Sequence, residues 1–587
     1  MAHLSFVAIV APLAAFTVFA RLAPAVLADE PPVTVFVAKK IITMDPGWPT
    51  ATAVAVQGGK VLSVGSLDDL NPWLHGRRHT IDRTFADKVL VPGLIEAHGH
   101  PIIGGTALTR PLLTFLPTPS PYGPPFPGVK TPDEALARLR GYVAQAKTPS
   151  ATVLAWGYDV IAMGGRHLDK TILDKVSASQ PILVWDASEH FVYANSAALR
   201  KYKVTPEDTK RNGVMAGPDG APDGRFLGTT AAQRILQEPL AELLAPEVAL
   251  RNIRFLMDLS RQHGITTTSE MAFGAINLDL EKGLFETFFN GPNSPVRCVV
   301  VTDGTTIKET KGDGSIAFVQ DLARRSSDTL VFRGIKFFSD DAFLSLGMMI
   351  ENPGYVDGRK GLFITPPDTM VETWLPWWRA GFQIHVHTNG NAGNQATIDA
   401  LDGLMKAHPR TDHRFTLQHY GISTPEQARR IKALGGVVSV NPFYLYHRSE
   451  FNAPYIGADR AYTAARLKTL VDAGVPTALH SDTPVAPPDP LAEVWIAVNR
   501  VGLSGRVRGP AERISLPQAL RMVTIDAAYT LGVEDKVGSI AAGKFADFAV
   551  LEQDPFEVRT EVIREIKVWG TVLGGKVLPA SGIRPPS

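Results

Sequence analysis

The sequence predicts an α/β fold: a (β/α)8 TIM-like barrel with a small β-sandwich domain formed from both terminal regions. Three observations predict it. Apolar strand-like runs alternate with longer helical stretches through the middle of the chain. Short strands punctuated by glycine turns occur at both ends. Histidines recur at the ends of the apolar runs, where a barrel of this kind builds its active site. At 587 residues the chain exceeds one simple core, so a large domain with a small companion is expected. The predicted organisation is a signal peptide at 1–28, the first part of the small β domain at 31–89, the barrel at 90–534 and the second part of the β domain at 535–587.

Leu4 to Ala20 is apolar almost throughout, and Ala25-Val26-Leu27-Ala28 offers small or short residues before Asp29. This pattern predicts a secretory signal cleaved after Ala28, and hence an exported, periplasmic protein. The same run is close to the length of a short membrane span, so an uncleaved membrane anchor is the alternative, with a buried core helix behind it. Val33 to Val37, Lys40 to Met44, Ala53 to Val56 and Lys60 to Gly65 follow as short strands, with a turn at Gly58-Gly59. Phe548 to Leu551, Ile566 to Val572 and Lys576 to Leu578, with a turn at Gly574-Gly575, repeat that texture at the far end. One small β domain assembled from both termini accounts for the likeness; two unrelated β extensions are the alternative.

Between these ends the candidate strands are Thr152 to Trp156, Pro181 to Trp185, Gly264 to Thr268, Val296 to Val301, Gly334 to Phe338, Phe382 to Val386, Phe415 to Leu417, Gly436 to Val440 and Pro476 to Leu479. Thr131 to Ala146, Pro246 to His263 and Thr424 to Leu434 are predicted helices. These are more strands than a barrel's eight. Two segments interrupt the pattern. Pro111 to Pro132 is rich in proline and is expected to be a stiff, substrate-shaping loop over the barrel mouth. Thr205 to Gly228 carries Pro218-Asp219-Gly220 and Pro222-Asp223-Gly224, which predict tight turns and surface decoration.

Composition narrows the function. Hydrophobic residues at 45% and charged residues at 20% are those of an ordinary globular protein. Net charge is +1 without a basic block, which argues against nucleic acid as a partner. Cys298, the single cysteine, excludes an intrachain disulfide and a cysteine-rich zinc site. Any metal must be held by histidine, carboxylate or a modified lysine.

The run Val89 to His100 ends in His98-Gly99-His100, two imidazoles on one face at the end of an apolar strand. Two such ligands supply half of a four-ligand site. Lys336 sits inside the apolar run Gly334 to Phe338. Such a lysine is as readily an edge residue as a buried one. If buried, its amine is neutral and can add carbon dioxide to give a carbamate able to bridge two metals. His385 and His387 end another run, His419 the next, and Asp482 lies just past the last. A lone strand-end histidine is more often structural than ligating, and an aspartate there is ordinarily a helix N-cap. The ordered series of His-x-His, Lys, His, His and Asp outweighs those readings. It fits a hydrolase in which divalent metal lowers the pKa of a water and an aspartate handles the proton.

With these stations in place, the chain resembles the amidohydrolase superfamily, in its amidohydrolase-3 or YtcJ-like branch, which includes N-substituted formamide deformylases. The resemblance is carried by Pro92 to His100, His190 to Leu199 with Asn195-Ser196, Lys336 to Asp340, His387 to Asn391, Gln418-His419, Gly474 to Pro484 and Gly538 to Asp547. It implies His98 and His100 as ligands of a first metal and Lys336 as a carbamylated bridge. His387 and His419 would hold a second metal, and Asp482 would be proton shuttle and ligand. His190 would contact substrate or transition state. Cofactors are then one or two divalent transition-metal ions, zinc foremost, with carbon dioxide bound as the Lys336 carbamate. The implied reaction is hydrolysis of a non-peptide C–N bond in an amide, formamide or cyclic amide. Alternatives are the same site acting on an ester, lactone or C–C bond, and a non-catalytic periplasmic binding protein. The expected partner is a small-molecule substrate, with a homo-oligomer left open. The chain departs from the family pattern at Glu96 (usually Asp), Asn391 (usually Asp), His480 (usually Gly) and Asp341 (commonly Gly).

Overall fold

A computed structural model describes residues 30–211, 213–291 and 293–585. The predicted signal peptide at 1–28 lies outside the described residues. Among the described residues no helix is long and apolar enough to cross a membrane.

In chain order the strands are β1 (Val33–Ile42), β2 (Thr50–Gln57), β3 (Lys60–Gly65), β4 (His79–Pro92) and β5 (Leu94–Ile95), then β6 (Val153–Tyr158), β7 (Ile182–Asp186), β8 (Phe191–Ala194), β9 (Val214–Ala216) and β10 (Pro222–Leu227). There follow β11 (Ile265–Phe273), β12 (Arg297–Asp303), β13 (Leu330–Phe338), β14 (Ile384–Thr388), β15 (Thr416–His419), β16 (Val437–Val440) and β17 (Thr477–Leu479), and finally β18 (Phe548–Leu551), β19 (Val568–Leu573) and β20 (Lys576–Pro579).

The two termini meet in one small β domain, as the glycine-punctuated strands predict. Hydrogen bonds join its strands in the order β20-β19-β18-β4-β1-β2-β3, so β4 from the N-terminal part pairs with β18 from the C-terminal part. Phe36, Val54, Phe85, Phe548 and Val572 share a core between the strands.

The barrel is an eight-stranded parallel sheet in the order β5-β11-β12-β13-β14-β15-β16-β17. Its strands are covered by helices such as Pro246–Gln262, whose Ile253, Leu256 and Met257 are buried. The outer strands β5 and β17 are joined at their C-terminal ends. Gly99 bridges Thr483 in parallel register, Asp482 N donates to His98 O at 3.0 Å, and His100 N donates to Thr483 O at 3.2 Å. This closure sets the His-x-His pair beside the aspartate, although they are almost four hundred residues apart in sequence.

The apolar run before His98 divides between two sheets. Gly93 N donates to Asp547 O in the β domain, and Leu94 N donates to Gly264 O in the barrel. Glycine is required at the crossing, because a Cβ on Gly93 would lie 1.8 Å from Thr266 Oγ1.

Two of the candidate strands, which outnumber a barrel's eight, belong elsewhere. Thr152 to Trp156 and Pro181 to Trp185 become β6 and β7 of a separate five-stranded sheet, ordered β6-β7-β8-β10-β9. Their sequences are as apolar as barrel strands because Ile182–Asp186 is buried throughout. Composition reports that burial and says nothing of which sheet supplies it. The segment Thr205 to Gly228, expected as decoration, contributes β9 and β10 to this sheet. The proline-rich segment Pro111 to Pro132 packs along β6, with Trp156 N donating to Pro111 O at 2.9 Å.

Candidate metal centre

All seven residues singled out in the sequence, His98, His100, His190, Lys336, His387, His419 and Asp482, line one cavity of about 150 Å³ at the C-terminal ends of the barrel strands. Barrel register explains the placement. Lys336 on β13 is level with His385 on β14, and Phe338 is level with His387. His385 and His387 share a face, but only His387 lines the cavity. His385 sits one layer deeper, its Nδ1 3.3 Å from Gln418 Nε2.

His419 and Asp482 both adopt left-handed backbone, with φ of 74° and 60°. For residues other than glycine this costs about 1–3 kcal/mol and persists where surrounding structure enforces it, commonly at functional sites. The helix N-cap role ordinarily expected of such an aspartate falls instead to Asp489.

The Asp482 carboxylate stands among imidazoles. Oδ1 is 3.4 Å from His98 Nε2 and 3.5 Å from His100 Nε2, and Oδ2 is 3.6 Å from His419 Nδ1. His100 Nδ1 lies 3.0 Å from Glu270 Oε1, a carboxylate that fixes its tautomer and leaves Nε2 facing Asp482. His480 Nε2 is 3.2 Å from His419 Nδ1, and its Nδ1 is 2.8 Å from Ser439 Oγ. His387 Nε2 is 2.9 Å from Asn389 Nδ2, and its ring is 4.4 Å from that of His419. Lys336 Nζ donates to Gln418 Oε1.

Burial sets the electrostatics. It holds His98 and His419 far below the usual imidazole range and depresses His387 and His480 to about 3. These rings are neutral at physiological pH, the form that binds metal. Burial lowers Lys336 to about 7, against the opposing pull of Asp482. His100 differs: burial opposes its cation, but Asp482 and Glu270 raise it to about 10.

Two sets of donors have ligand atoms within 4.8 Å of one another: His98, His419 and His480, and His98, His100 and Asp482. His98 Nδ1 and His419 Nε2 are buried with no hydrogen-bond partner among the described residues. A nitrogen- and carboxylate-rich set with unpartnered imidazole nitrogens fits a divalent transition metal.

Four groups here went unassigned in the sequence reading. Glu270 gives no signal, being one of five consecutive polar residues in the strand Ile265–Phe273. His480 had its place beside Asp482 but no role. Asp341 stood out only as a departure; its Oδ1 is 2.7 Å from His190 Nδ1. Glu189 has a left-handed φ of 65°, lines the cavity, and has a buried Oε1 without a partner. Its position next to His190 was the available clue. Asn391, noted as a departure near the pocket, is turned away from it and donates to Glu351 Oε2 at 2.9 Å.

Comparison with known proteins places the chain. Residues 86–579 match the model of the amidohydrolase family. The sequence is 26% identical to Protein LONG AFTER FAR-RED 3 of Arabidopsis thaliana, covering 92% of this chain and 90% of that one. It is 24% identical to the N-substituted formamide deformylase of Arthrobacter pascens, covering 91% and 96%. An uncharacterized metal-dependent hydrolase from Pyrococcus horikoshii shares the fold, with a TM-score of 0.68 at 17% identity over 90% of this chain and 99% of that one. The chain belongs to the amidohydrolase family and is a metal-dependent hydrolase.

Proposed function

We propose that this enzyme hydrolyses a non-peptide C–N bond in an amide, formamide or cyclic amide, with one or two divalent ions, zinc foremost, held by His98, His100, Lys336, His387, His419 and Asp482. The observation that carries the reading is the position of Asp482, a carboxylate set among three imidazoles in a cavity that a buried lysine also lines. Lys336 is buried and its ammonium form disfavoured, which suits addition of its neutral amine to carbon dioxide with loss of one proton, giving the carbamate bridge. Metal bound at such a site lowers the pKa of water toward neutrality and polarises a carbonyl.

The chain's own groups account for the remaining chemistry. Asp482 accepts a proton from the attacking water as its oxygen joins the carbonyl carbon. The same carboxyl then delivers that proton to the leaving nitrogen as the C–N bond breaks, yielding a carboxylic acid and an amine. His190, whose charged form is favoured by Asp341 against the opposing effect of burial, donates to the oxygen on which charge develops. Glu270 keeps His100 oriented. The unpartnered Oε1 of Glu189 accepts from an N–H of the substrate. The deformylase relative supports the choice of bond. A panel of amides, esters and lactones assayed with the metal-loaded protein tests it: amide turnover above ester and lactone turnover is expected, and the reverse order overturns it. The signal reading of residues 1–28 adds export, tested by an N-terminus at Asp29 in the mature protein.

A further inference from the structure

A second cavity, of about 240 Å³, lies beside the first. Pro484 and Val485 line both. Ala187 faces the second while its neighbour Ser188 faces the first. The π-helical turn Tyr444–Arg448 is divided in the same way: Tyr444 lines the first cavity, and Tyr446, His447 and Arg448 line the second. π-Helical turns are rare and frequently sit at functional sites.

The wall of this second cavity is aromatic and uncharged in sum. Phe115 and Phe451 meet edge to face with ring centroids 5.2 Å apart, and Leu116 and Trp156 add to the surface. Arg448 and Asp159 form a buried ion pair with each other, so neither offers a net charge to an occupant. The indole N–H of Trp156 has no acceptor among the described residues. The proline-rich segment is fixed in place. Leu113 N donates to Trp156 O at 2.8 Å, and Thr114 closes on Gly157, where a Cβ would lie 2.5 Å from Thr114 Cγ2. A wall held in this way is formed before a ligand arrives, which lowers the ordering cost of binding.

Size decides the occupant. The first cavity, at about 150 Å³, must hold the reacting group and its ion, which leaves less of its space for a larger substituent. An apolar cavity of about 150 Å³ is sufficient for benzene, and the second cavity is larger than that. We propose that it receives an uncharged aromatic group of the substrate, attached a few bonds from the scissile carbon, so that aryl-bearing amides are the preferred class. This proposal rests on the amide-hydrolysis reading for its substrates but not for its binding test.

The experiment pairs turnover with binding on the metal-loaded enzyme. 2-Phenylacetamide is compared with propanamide, and N-benzylacetamide with N-ethylacetamide, so that the two pairs show whether the ring sits on the acyl or the amine side. In Phe451→Ala, kcat/KM for the preferred aryl amide is expected to fall at least about tenfold, the loss typical of an emptied apolar subsite. Its short-chain partner should stay within about twofold. Equal losses for both members of a pair, or equal turnover of both by the parent enzyme, overturn the proposal. Binding of benzyl alcohol, followed by saturation-transfer NMR, is expected in the parent and lost in the cavity-filling Leu116→Trp with an unchanged melting temperature. Absence of benzyl alcohol binding in the parent overturns the cavity assignment whatever the activity. Binding without amide turnover leaves the cavity standing and removes the C–N reading instead.

Discussion

His190 Nδ1 and Asp341 Oδ1 lie 2.7 Å apart, tying the loop between β7 and β8 to the loop that follows β13 at the edge of the catalytic cavity. The inserted sheet thereby lends a residue to the barrel's site. Burial disfavours both charges, but each supports the other: His190 is raised above the usual imidazole value and Asp341 lowered below the usual carboxylate value. The histidine's contribution to stability is complete at low pH and is lost as pH rises through its raised pKa. The aspartate's contribution is present above 3.8 and is lost as pH falls through its depressed one. Their sum is greatest between the carboxylate range and the raised imidazole value.

Asp341→Asn is therefore expected to cost about 1.5–3 kcal/mol at pH 6, the range for a hydrogen bond to a charged group, and less at pH 9. Denaturant titrations at the two pH values check this. A deficit of the same size at both would contradict a contribution that is lost as His190 gives up its proton between them.

Asp482→Asn keeps the size of the side chain and removes its ability to take a proton. The expectation is a fall in kcat of about 10²–10⁴ with metal content retained, the usual contribution of a positioned acid–base group. Near-normal turnover would remove Asp482 from the proton transfer.

Lys336→Ala deletes an amine that is buried, 1% exposed, and bonded to Gln418. Metal and activity are expected to fall together, with partial recovery in millimolar acetate or propionate, whose carboxylate stands in for the carbamate. Metal content equal to the parent's would leave Lys336 a structural residue.

The sequence exposed the barrel and the cavity residues for a physical reason. Strand ends carry the chemistry in this architecture, and His98, Lys336, His387, His419 and Asp482 all interrupt or terminate apolar runs, where polar side chains stand out. Which strands form the barrel was less legible. Ile182–Asp186 is buried throughout and Ile384–Thr388 at all but His387, and only the pairing of their neighbours separates the inserted sheet from the barrel. Contributions that depend on tertiary approach were also hidden. Glu270 matters because it meets His100, 170 positions away, and Asp341 because it meets His190. Nothing in their local sequence announces either contact.

Gly93 tests the joint between the two domains. Gly93→Ala would bring a methyl group against Thr266 at the point where the chain passes from the terminal sheet into the barrel. A loss of about 1–3 kcal/mol is expected from the overpacking, with part of it recovered by Thr266→Gly. A melting temperature unchanged by Gly93→Ala would mean that the crossing is looser than its contacts require.

The measurement that bears most directly on the metal-dependent site is metal content per chain, by elemental mass spectrometry, on protein purified without chelator, for the parent and for a His98→Ala, His419→Ala double variant. One or two transition-metal ions per chain in the parent, and loss of metal in a folded double variant, is the predicted result. A parent that holds no metal after reconstitution with zinc or manganese, or a double variant that holds as much as the parent, would contradict it.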